Sequence, residues 1–184
     1  MPTTCAEIIC ATSCAQALPE TEFNLCSPET NFGEIEEILV TNIGNPLVDE
    51  NDPAEWATRF ALSATDPTKI TRLFVVGSKP APEGASIMIS RDTEIPSPKT
   101  HTIPFKIFET NQKNYEFLRT LECGKKLLVW YKTADGALYG GAKGIEVSIT
   151  MNEIIPESRQ ELTYFEGSLK WKSKHHPCRT VSVI

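Results

Sequence analysis

Cysteine and histidine are the residue types in this sequence best suited to hold a metal ion. The chain has four early cysteines and two distant ones: Cys5, Cys10, Cys14, Cys26, Cys123 and Cys178. No C-x2-C pair, the spacing of common zinc sites, occurs among them. His175, His176 and Cys178 could complete a zinc site with two of the early thiols. We expect instead free, buried thiols in a reducing compartment, and neither a metal nor another cofactor.

The glycines and lysine of YGGAKGIE, residues 139–146, invite comparison with a phosphate-binding loop. The P-loop pattern is G-x-x-x-x-G-K-[ST], placed between a strand and a helix. Here Lys143 precedes Gly144, no Ser or Thr follows, and the downstream residues alternate like a strand. We therefore interpret this stretch as a glycine-rich hairpin bend.

The residue types of a hydrolase are present, but their arrangement does not favour one. A serine and an aspartate could join His101, His175 or His176, yet no G-x-S-x-G nucleophile elbow occurs. The pair at 175–176 lies at a basic, proline-terminated strand end, where we expect solvated side chains. The acidic pairs 36–37 and 49–50 belong to a generally acidic, surface-like stretch. We expect no catalytic residues and no enzyme activity.

Charge is strongly segregated along the chain. Residues 20–55 contain ten acidic residues and no Lys or Arg, whereas residues 167–184 contain four basic residues, two histidines and no acid. Exposed pairs within one subunit contribute only about 0.2–1 kcal/mol. Complementary patches on copies of one protein, in contrast, steer encounter and fix the register of rings and tubes. Two interpretations stay open: the segments meet between copies, or they pair within one subunit.

The stretch FEGSLKWKSKHH, residues 165–176, alternates apolar and lysine side chains. Alternation turns Phe165, Leu169 and Trp171 inward, and the lysines would face an acidic surface of a neighbouring copy. The interface residues that we propose are Lys170, Lys172, Lys174, Arg179, Glu34, Glu36, Glu37, Asp49 and Glu50. A nucleic-acid role for the lysines is weakened by the formal net charge of −6 and by the lack of interleaved exposed aromatic residues.

The elements that must position these residues indicate a mainly β fold. We interpret residues 1–30 as an N-terminal arm, with a short helix near 6–17, and residues 31–184 as a single β-rich domain. A strand is predicted over 35–42. The stretch NDPAEWATRFAL then predicts a helix, with Asp52 as its cap, Glu55 completing a capping box, and Trp56, Ala57 and Phe60 on one side.

Further strands are predicted at ITRLFVVGS, ASIMISRD and HTIPFKIFE. Pro104 indicates that the last of these is an edge strand or contains a bulge, because proline cannot donate a hydrogen bond to a neighbouring strand. A second helix is predicted with Asn111 or Thr110 as its cap, Tyr115, Leu118 and Leu121 on one face, and Gly124 as its C-terminal stop. Asp135-Gly136 predicts a hairpin turn, and IEVSITMN alternates as a strand. A last strand over 161–173 would span about 43 Å, which favours a protruding hairpin. Together these indicate an antiparallel β-sandwich or barrel with one or two short helices and long hairpins.

Size and composition fit a single globular domain. The chain has 184 residues, 40% hydrophobic and 23% charged. It has no apolar run long enough for a membrane helix and no basic n-region of a signal peptide, so we expect a cytosolic protein with no membrane partner. All three tryptophans (Trp56, Trp130 and Trp171) are predicted to lie in the core.

Three stretches carry a resemblance: SPETNFGEIEEILVTNIGNPL, HTIPFKIFETNQKNYEFLRTLECGKKLLVWYKT and ELTYFEGSLKWKSKHHPCR. They resemble structural proteins of phages and prophages of gut Bacteroidales, including the crAss-like phages, over roughly residues 28–178. The element order is also similar to the tail-tube fold, which recurs in tail tubes, tail-terminator and joining rings, and secretion-tube proteins.

The resemblance implies a virion component in the tail or neck, assembled in the bacterial host cytoplasm. It would form a ring of six or twelve copies, contact other tail or portal-proximal proteins, and border a passage for genome DNA, where negative charge keeps the DNA from sticking. Two alternatives stay open: a capsid auxiliary or decoration protein, and a ligand-binding or carbohydrate-binding β-sandwich at a tail tip.

Overall fold

The structure is a computed structural model that describes residues 33–84, 86–91, 93–158 and 160–184. Its elements are, in chain order, β1 (Ile35–Asn42), α1 (Pro53–Ala61), β2 (Thr71–Gly77), β3 (Ser86–Ser90), β4 (Thr93–Pro96), β5 (Lys99–Ile107), α2 (Gln112–Leu121), β6 (Lys126–Thr133), β7 (Ala137–Tyr139), β8 (Ile145–Ile154), β9 (Tyr164–Ser173) and β10 (Arg179–Val181). The helix predicted near residues 6–17 lies outside the described residues.

Six antiparallel strands close into a barrel, in the order β1-β2-β5-β9-β8-β6 and back to β1. Strand β1 makes the closure because it pairs with β2 on one edge and with β6 on the other. Ile38, for example, lies opposite both Leu73 and Tyr131. Strand β7 pairs with the second half of β6 and carries β10 at its outer edge. The predicted mainly β, antiparallel barrel with short helices is confirmed.

Alternation along the strands fills the barrel interior with apolar side chains. On β9, Phe165, Leu169 and Trp171 are buried as predicted, and Gly167 lies between them. A Cβ atom at Gly167 would lie 2.4 Å from the Phe105 ring, so the glycine makes room for that phenylalanine. Packing of the main core therefore depends on a small residue on β9, Gly167, beside a large side chain on the neighbouring strand β5, Phe105.

A second apolar cluster lies on the outside of the barrel, where α1 covers β1 and β6. Trp56 from the helix meets Trp130 from β6 edge to face, with ring centroids 5.5 Å apart. Both indole N–H groups are satisfied, Trp56 donating to the Glu50 carbonyl and Trp130 to the Gly141 carbonyl. All three tryptophans are buried, as the sequence predicts.

Helix α1 begins as predicted at Asp52, whose carboxylate accepts from the Ala54 N–H at 2.9 Å. The capping-box role of Glu55 is wrong. Its carboxylate accepts instead from the Val48 and Asp49 N–H groups, both at 3.0 Å, and so holds the loop before the helix.

The buried face of α1 also differs from the prediction. Ala57 is exposed, and the buried position is taken by Arg59. The Arg59 guanidinium donates to three backbone carbonyls, of Asn45, Pro46 and Thr68. These carbonyls lie in the loops on either side of α1 and need a hydrogen-bond donor, which an alanine side chain cannot supply. The loops therefore determine that Arg59 is buried.

Helix α2 crosses one end of the barrel between β5 and β6, and we call this the α2 end. Asn111 is its N-cap, accepting from the Asn114 N–H at 2.9 Å, and Gly124 follows its last turn with a φ of +67°. Leu118 and Leu121 join the barrel core, whereas Tyr115, expected beside them, is 38% exposed.

Two strand predictions are wrong. Strand β5 is not an edge, since it lies between β2 and β9. Pro104 is tolerated there because β2 pairs with β5 only over Val76 and Gly77. Next to that pairing the Pro104 carbonyl accepts from the Ser78 N–H, so the missing N–H of the proline is not needed there. The closing strand is also shorter than predicted and does not protrude: β9 has ten residues and pairs along its length with β5 and β8.

A glycine-rich bend is present at residues 140–144, but it is not a hairpin, because β7 and β8 on either side of it are separated in the sheet by β6. The bend supports a stability prediction. A Cβ atom at Gly140, which has a φ of +132°, would lie 2.5 Å from the Trp130 ring, whereas Gly124 faces open space at a φ of +67°. We expect Gly140→Ala to lower the free energy of unfolding by about 2–4 kcal/mol, from backbone strain plus overpacking. Gly124→Ala should lower it by only about 1–2 kcal/mol, from strain alone.

Urea denaturation followed by tryptophan fluorescence measures both changes. Equal losses for the two variants would contradict the packing role of Gly140.

Candidate functional site

The basic residues predicted to form an interface are all exposed. On β9 and just after it, Lys170, Lys172 and Lys174 point away from the core, and Arg179 on β10 is exposed as well. The alternation of FEGSLKWKSKHH therefore produces the two faces that it predicts. The outward positions paired directly with Lys170 and Lys172 carry Thr and Ser side chains, whereas Glu146 on β8 lies with these two lysines around one cleft.

The acidic residues proposed for the other side divide into two groups. Glu34, Glu36 and Asp49 are exposed, but Glu37 and Glu50 are buried, with exposures of 2% and 6%. These two residues therefore cannot form an external surface as predicted.

The burial of Glu37 has a clear cause. A bulge in β1 lies between Ile35 and Glu37, and the Glu37 carboxylate accepts two hydrogen bonds from the Arg72 guanidinium of β2. This bidentate pair offsets the cost of taking the carboxylate out of water. Glu50 lies in the loop that is held under α1 by the Trp56 indole.

The charged segments at the two ends of the chain do not pair with each other among the described residues. Ion pairs there join Arg59 to Glu55, Arg72 to Glu37, and Arg179 to Asp135. None of them links a basic residue of 167–184 to an acid of 33–55. The interpretation in which the segments neutralise each other within one subunit gains no support from these contacts.

An apolar hairpin, formed by β3 and β4, leaves the barrel between β2 and β5. Its three central β3 side chains are all exposed: Ile87 at 57%, Met88 at 63% and Ile89 at 60%. The two strands form a separate two-stranded sheet, anchored by a bridge between Glu83 and Thr100. An isolated two-stranded hairpin is only marginally stable in water, so a partner surface would stabilise it.

The sequence analysis predicts this strand but not its exposure. The available signal is SIMISRD, in which three consecutive apolar residues lie between the loop KPAPEG and the stretch SPK. A strand with one buried face alternates apolar and polar residues, so a continuous run indicates either burial on both faces or an unpartnered element.

One buried titratable group lies at the barrel end opposite α2. His101 on β5 is 2% exposed and stacks on Trp171, with ring centroids 4.8 Å apart, while His176 approaches it edge-on at 5.8 Å. Burial lowers the pKa of His101, and the positive charge of Lys79 and the nearby His176 lower it further. The Ser173 backbone opposes this shift, but neither ring nitrogen reaches hydrogen-bonding geometry with a described residue.

The His101 ring therefore packs against Trp171, and among the described residues no serine hydroxyl or carboxylate hydrogen-bonds to it as in a hydrolase triad. His175 and His176 are exposed, as predicted. Tyr131 is similar to His101 in character, since burial raises the pKa of its hydroxyl and Tyr139 stacks on it at 4.7 Å. Core packing positions both groups.

The expected free, buried thiols are not found at the two described cysteines. Cys123 is free but exposed, and Cys178 is disulfide-bonded. A disulfide sulfur is not a zinc ligand, which removes Cys178 from the zinc site considered above. Within the described part of the chain, no group of three His, Cys, Asp or Glu side chains is placed to hold a metal ion.

A cleft of about 670 Å³ opens beside α2 at the α2 end. Apolar side chains of the barrel and helix form part of its wall, and charged residues of both signs lie around it: Lys69, Lys113, Lys125, Asp66 and Glu116. Clefts at the mouths of β-barrels are common ligand sites. The cleft is the described feature best suited to a small molecule.

Comparison with known proteins gives no family for the chain. No family model matches it, and no curated protein matches its sequence. Among the described residues, no helix has the length and apolar character needed to cross a membrane. Function must therefore be argued from the surfaces described above.

The burial of His101 predicts a pH dependence of stability. A histidine with a lowered pKa binds its proton more weakly in the folded than in the unfolded chain, where the pKa is about 6.5. The neutral, buried ring of His101 therefore contributes fully to the free energy of unfolding above about pH 6.5. This contribution is lost as the pH falls from there towards the lower pKa that His101 has in the folded chain. We expect the free energy of unfolding to fall more between pH 7 and pH 5 in the wild type than in His101→Phe.

Urea titrations at each pH measure this difference, because the carboxylates titrate alike in both proteins. Parallel pH profiles for the two proteins would contradict the account of His101.

Proposed function

We propose that the protein is a non-enzymatic structural subunit that assembles with copies of itself into a ring or tube layer of a phage tail or head-to-tail junction. The observation that carries this proposal is the β3–β4 hairpin, which exposes Ile87, Met88 and Ile89 outside a closed barrel. Contiguous apolar surface on a projecting element is typical of a protein–protein contact.

Three further features support assembly from identical copies. The lysines of β9 and the exposed acids Glu34, Glu36 and Asp49 remain available for contacts between subunits. The barrel with short helices and a projecting hairpin agrees with the fold that the phage resemblance implies. The buried titratable groups are packed rather than placed at a reactive site. The assembly that we propose is a ring of six or twelve copies in the virion, in contact with other tail or portal-proximal proteins and bordering the genome DNA.

A ligand-binding protein is the second candidate, and the cleft beside α2 is the observation that favours it. The oligomer mass separates the two candidates. A ligand binder would remain at the subunit mass of 20.4 kDa at every protein concentration, whereas a ring former would give particles of several subunits. A shell decoration protein would be monomeric or trimeric and would bind empty capsids.

The hairpin gives the first assembly prediction. We expect the double variant Ile87→Ser and Ile89→Ser to fold but to remain monomeric, because it removes the apolar surface without touching the barrel core. Val48 and Val181 are still more exposed, at 91% and 83%, and lie away from the hairpin. The double variant Val48→Ser and Val181→Ser is therefore the matched control and should assemble like the wild type.

Size-exclusion chromatography with light scattering, supported by negative-stain images, measures both variants. Normal assembly of the hairpin variant would rule out the hairpin as an assembly element.

The lysines of β9 give the second assembly prediction. Changing Lys170, Lys172 and Lys174 to Glu should leave the subunit folded and stop assembly, because like charges would then face each other across the interface. The control changes Lys113, Lys125 and Lys143, which are exposed elsewhere, to Glu. This control gives the same net charge and should still assemble.

Light scattering at matched ionic strength compares the two triple variants. An oligomer of unaltered size from the β9 variant would defeat the charge argument, whereas loss of assembly in both would indicate only an effect of net charge.

A further inference from the structure

An aromatic row, formed by Phe74, Phe108 and Tyr164, lies on the outside of the barrel near the α2 end. Phe74 and Phe108 are 61% and 50% exposed, and the rings of Phe108 and Tyr164 are 5.8 Å apart. The register brings these positions near each other. Val76 pairs with Lys106, where the pairing of β2 with β5 ends, and Phe74 on β2 and Phe108, the residue after β5, are each two residues further along at outward-facing positions. Among the described residues this is a second exposed apolar surface.

Cations lie over two of the three rings of the aromatic row. The Arg72 guanidinium lies over the Phe74 ring at 5.5 Å, and its two bonds to the buried Glu37 fix its position. The Lys106 ammonium lies over the Tyr164 ring at 4.7 Å. Such preorganised side chains lose little conformational freedom when a partner binds.

The hairpin of the same subunit cannot cover this row. Its root is at Lys99, the first residue of β5, and Phe108 is nine residues further along, about 30 Å away at the rise of a strand. The hairpin strand β3 has five residues, about 17 Å. The exposure of Ile87, Met88 and Ile89 agrees with a hairpin that does not fold back onto its own barrel.

We infer that the aromatic row of one copy receives the β3–β4 hairpin of the next copy. This inference rests on the proposed function and names the receiving surface. Met88 and the two isoleucines meet a row of rings, and thioether contacts with aromatic rings are favourable. The two surfaces lie towards opposite ends of the barrel, so the contact joins subunits head to tail.

Charges at the edges of the two surfaces are complementary. The hairpin carries the exposed residues Arg91 and Glu94, and the barrel beside the row carries Lys106 and Glu166, which lie opposite each other on β5 and β9. In this contact Glu94 of the hairpin pairs with Lys106, and Arg91 pairs with Glu166, so that each charge meets an opposite one. These two pairs fix the register of the hairpin on the row.

The contact is heterologous, because hairpin and row are different surfaces. Each subunit offers one hairpin and one row, so head-to-tail repetition generates a closed ring or an open stack, whereas reciprocal exchange between two copies would stop at a two-fold dimer. Wild-type particles larger than a dimer distinguish repetition from exchange.

The decisive experiment mixes two defective variants. The first carries Ile87→Ser with Ile89→Ser, and the second carries Phe74→Ser with Phe108→Ser. All four positions are exposed, so both variants should fold, which circular dichroism and the urea midpoint verify. Each variant alone should be monomeric by light scattering. An equimolar mixture should form dimers of twice the 20.4 kDa subunit and nothing larger, since only one intact hairpin and one intact row remain.

Charge reversal tests the register independently. Glu94→Lys or Lys106→Glu should each raise the midpoint concentration of assembly by roughly tenfold or more, because like charges would meet. Both changes in one chain should restore the midpoint to within about threefold of the wild type. Glu94→Lys combined with Lys113→Glu, on α2, is the mismatched control and should keep the defect.

The outcomes separate this inference from the proposed function. If the row variant assembles like the wild type while the hairpin variant does not, or if the mixture stays monomeric although the wild type assembles, the aromatic row is not the receiving surface and the proposed function stands. A wild type that is monomeric at every concentration overturns both. Dimers in the mixture together with charge-swap rescue establish the contact.

Discussion

Pairing of β1 with both β2 and β6 is the constraint on which the rest of the structure depends. It closes six strands into a barrel and removes the open sheet edges that would otherwise be available for pairing within that barrel. The interior is filled by side chains that interdigitate closely, as Phe105 does with Gly167. Apolar surface that cannot enter this interior remains outside, on the β3–β4 hairpin and the aromatic row.

Closure also explains the character of the polar groups. Arg59 binds backbone carbonyls, Glu37 binds Arg72, and His101 stacks on Trp171. Each of these groups is used by the fold itself. The described surface carries exposed apolar side chains and segregated charge, which are the interactions that join protein subunits. On this physical basis we propose an assembly protein.

Local signals in the sequence were sufficient for many of the elements. Asp52 and Asn111 cap their helices, Asp135-Gly136 turns the β6–β7 hairpin, and alternation on β9 separates core side chains from lysines. These features depend on neighbours within a few residues, so the sequence contains their causes. The mainly β class followed from the same signals.

Features that depend on distant partners were not predictable in this way. Pro104 is tolerated in an interior strand because β2 diverges from β5 there. Glu37 is buried because Arg72, thirty-five residues away, binds it. The aromatic row exists only when β2, β5 and β9 are neighbours, and no pattern within one segment reveals that. Exposure of the hairpin likewise depends on the arrangement of the strands in space, since β3 and β4 form a sheet of their own beside the barrel.

The most direct test of the central claim is an electron cryo-microscopy map of the particle that the wild-type protein forms. The account predicts density for the β3–β4 hairpin of each copy, with Met88 seated against Phe74, Phe108 and Tyr164 of the next. A particle whose subunits meet through other surfaces, with the hairpin in solvent or packed on its own barrel, would contradict it.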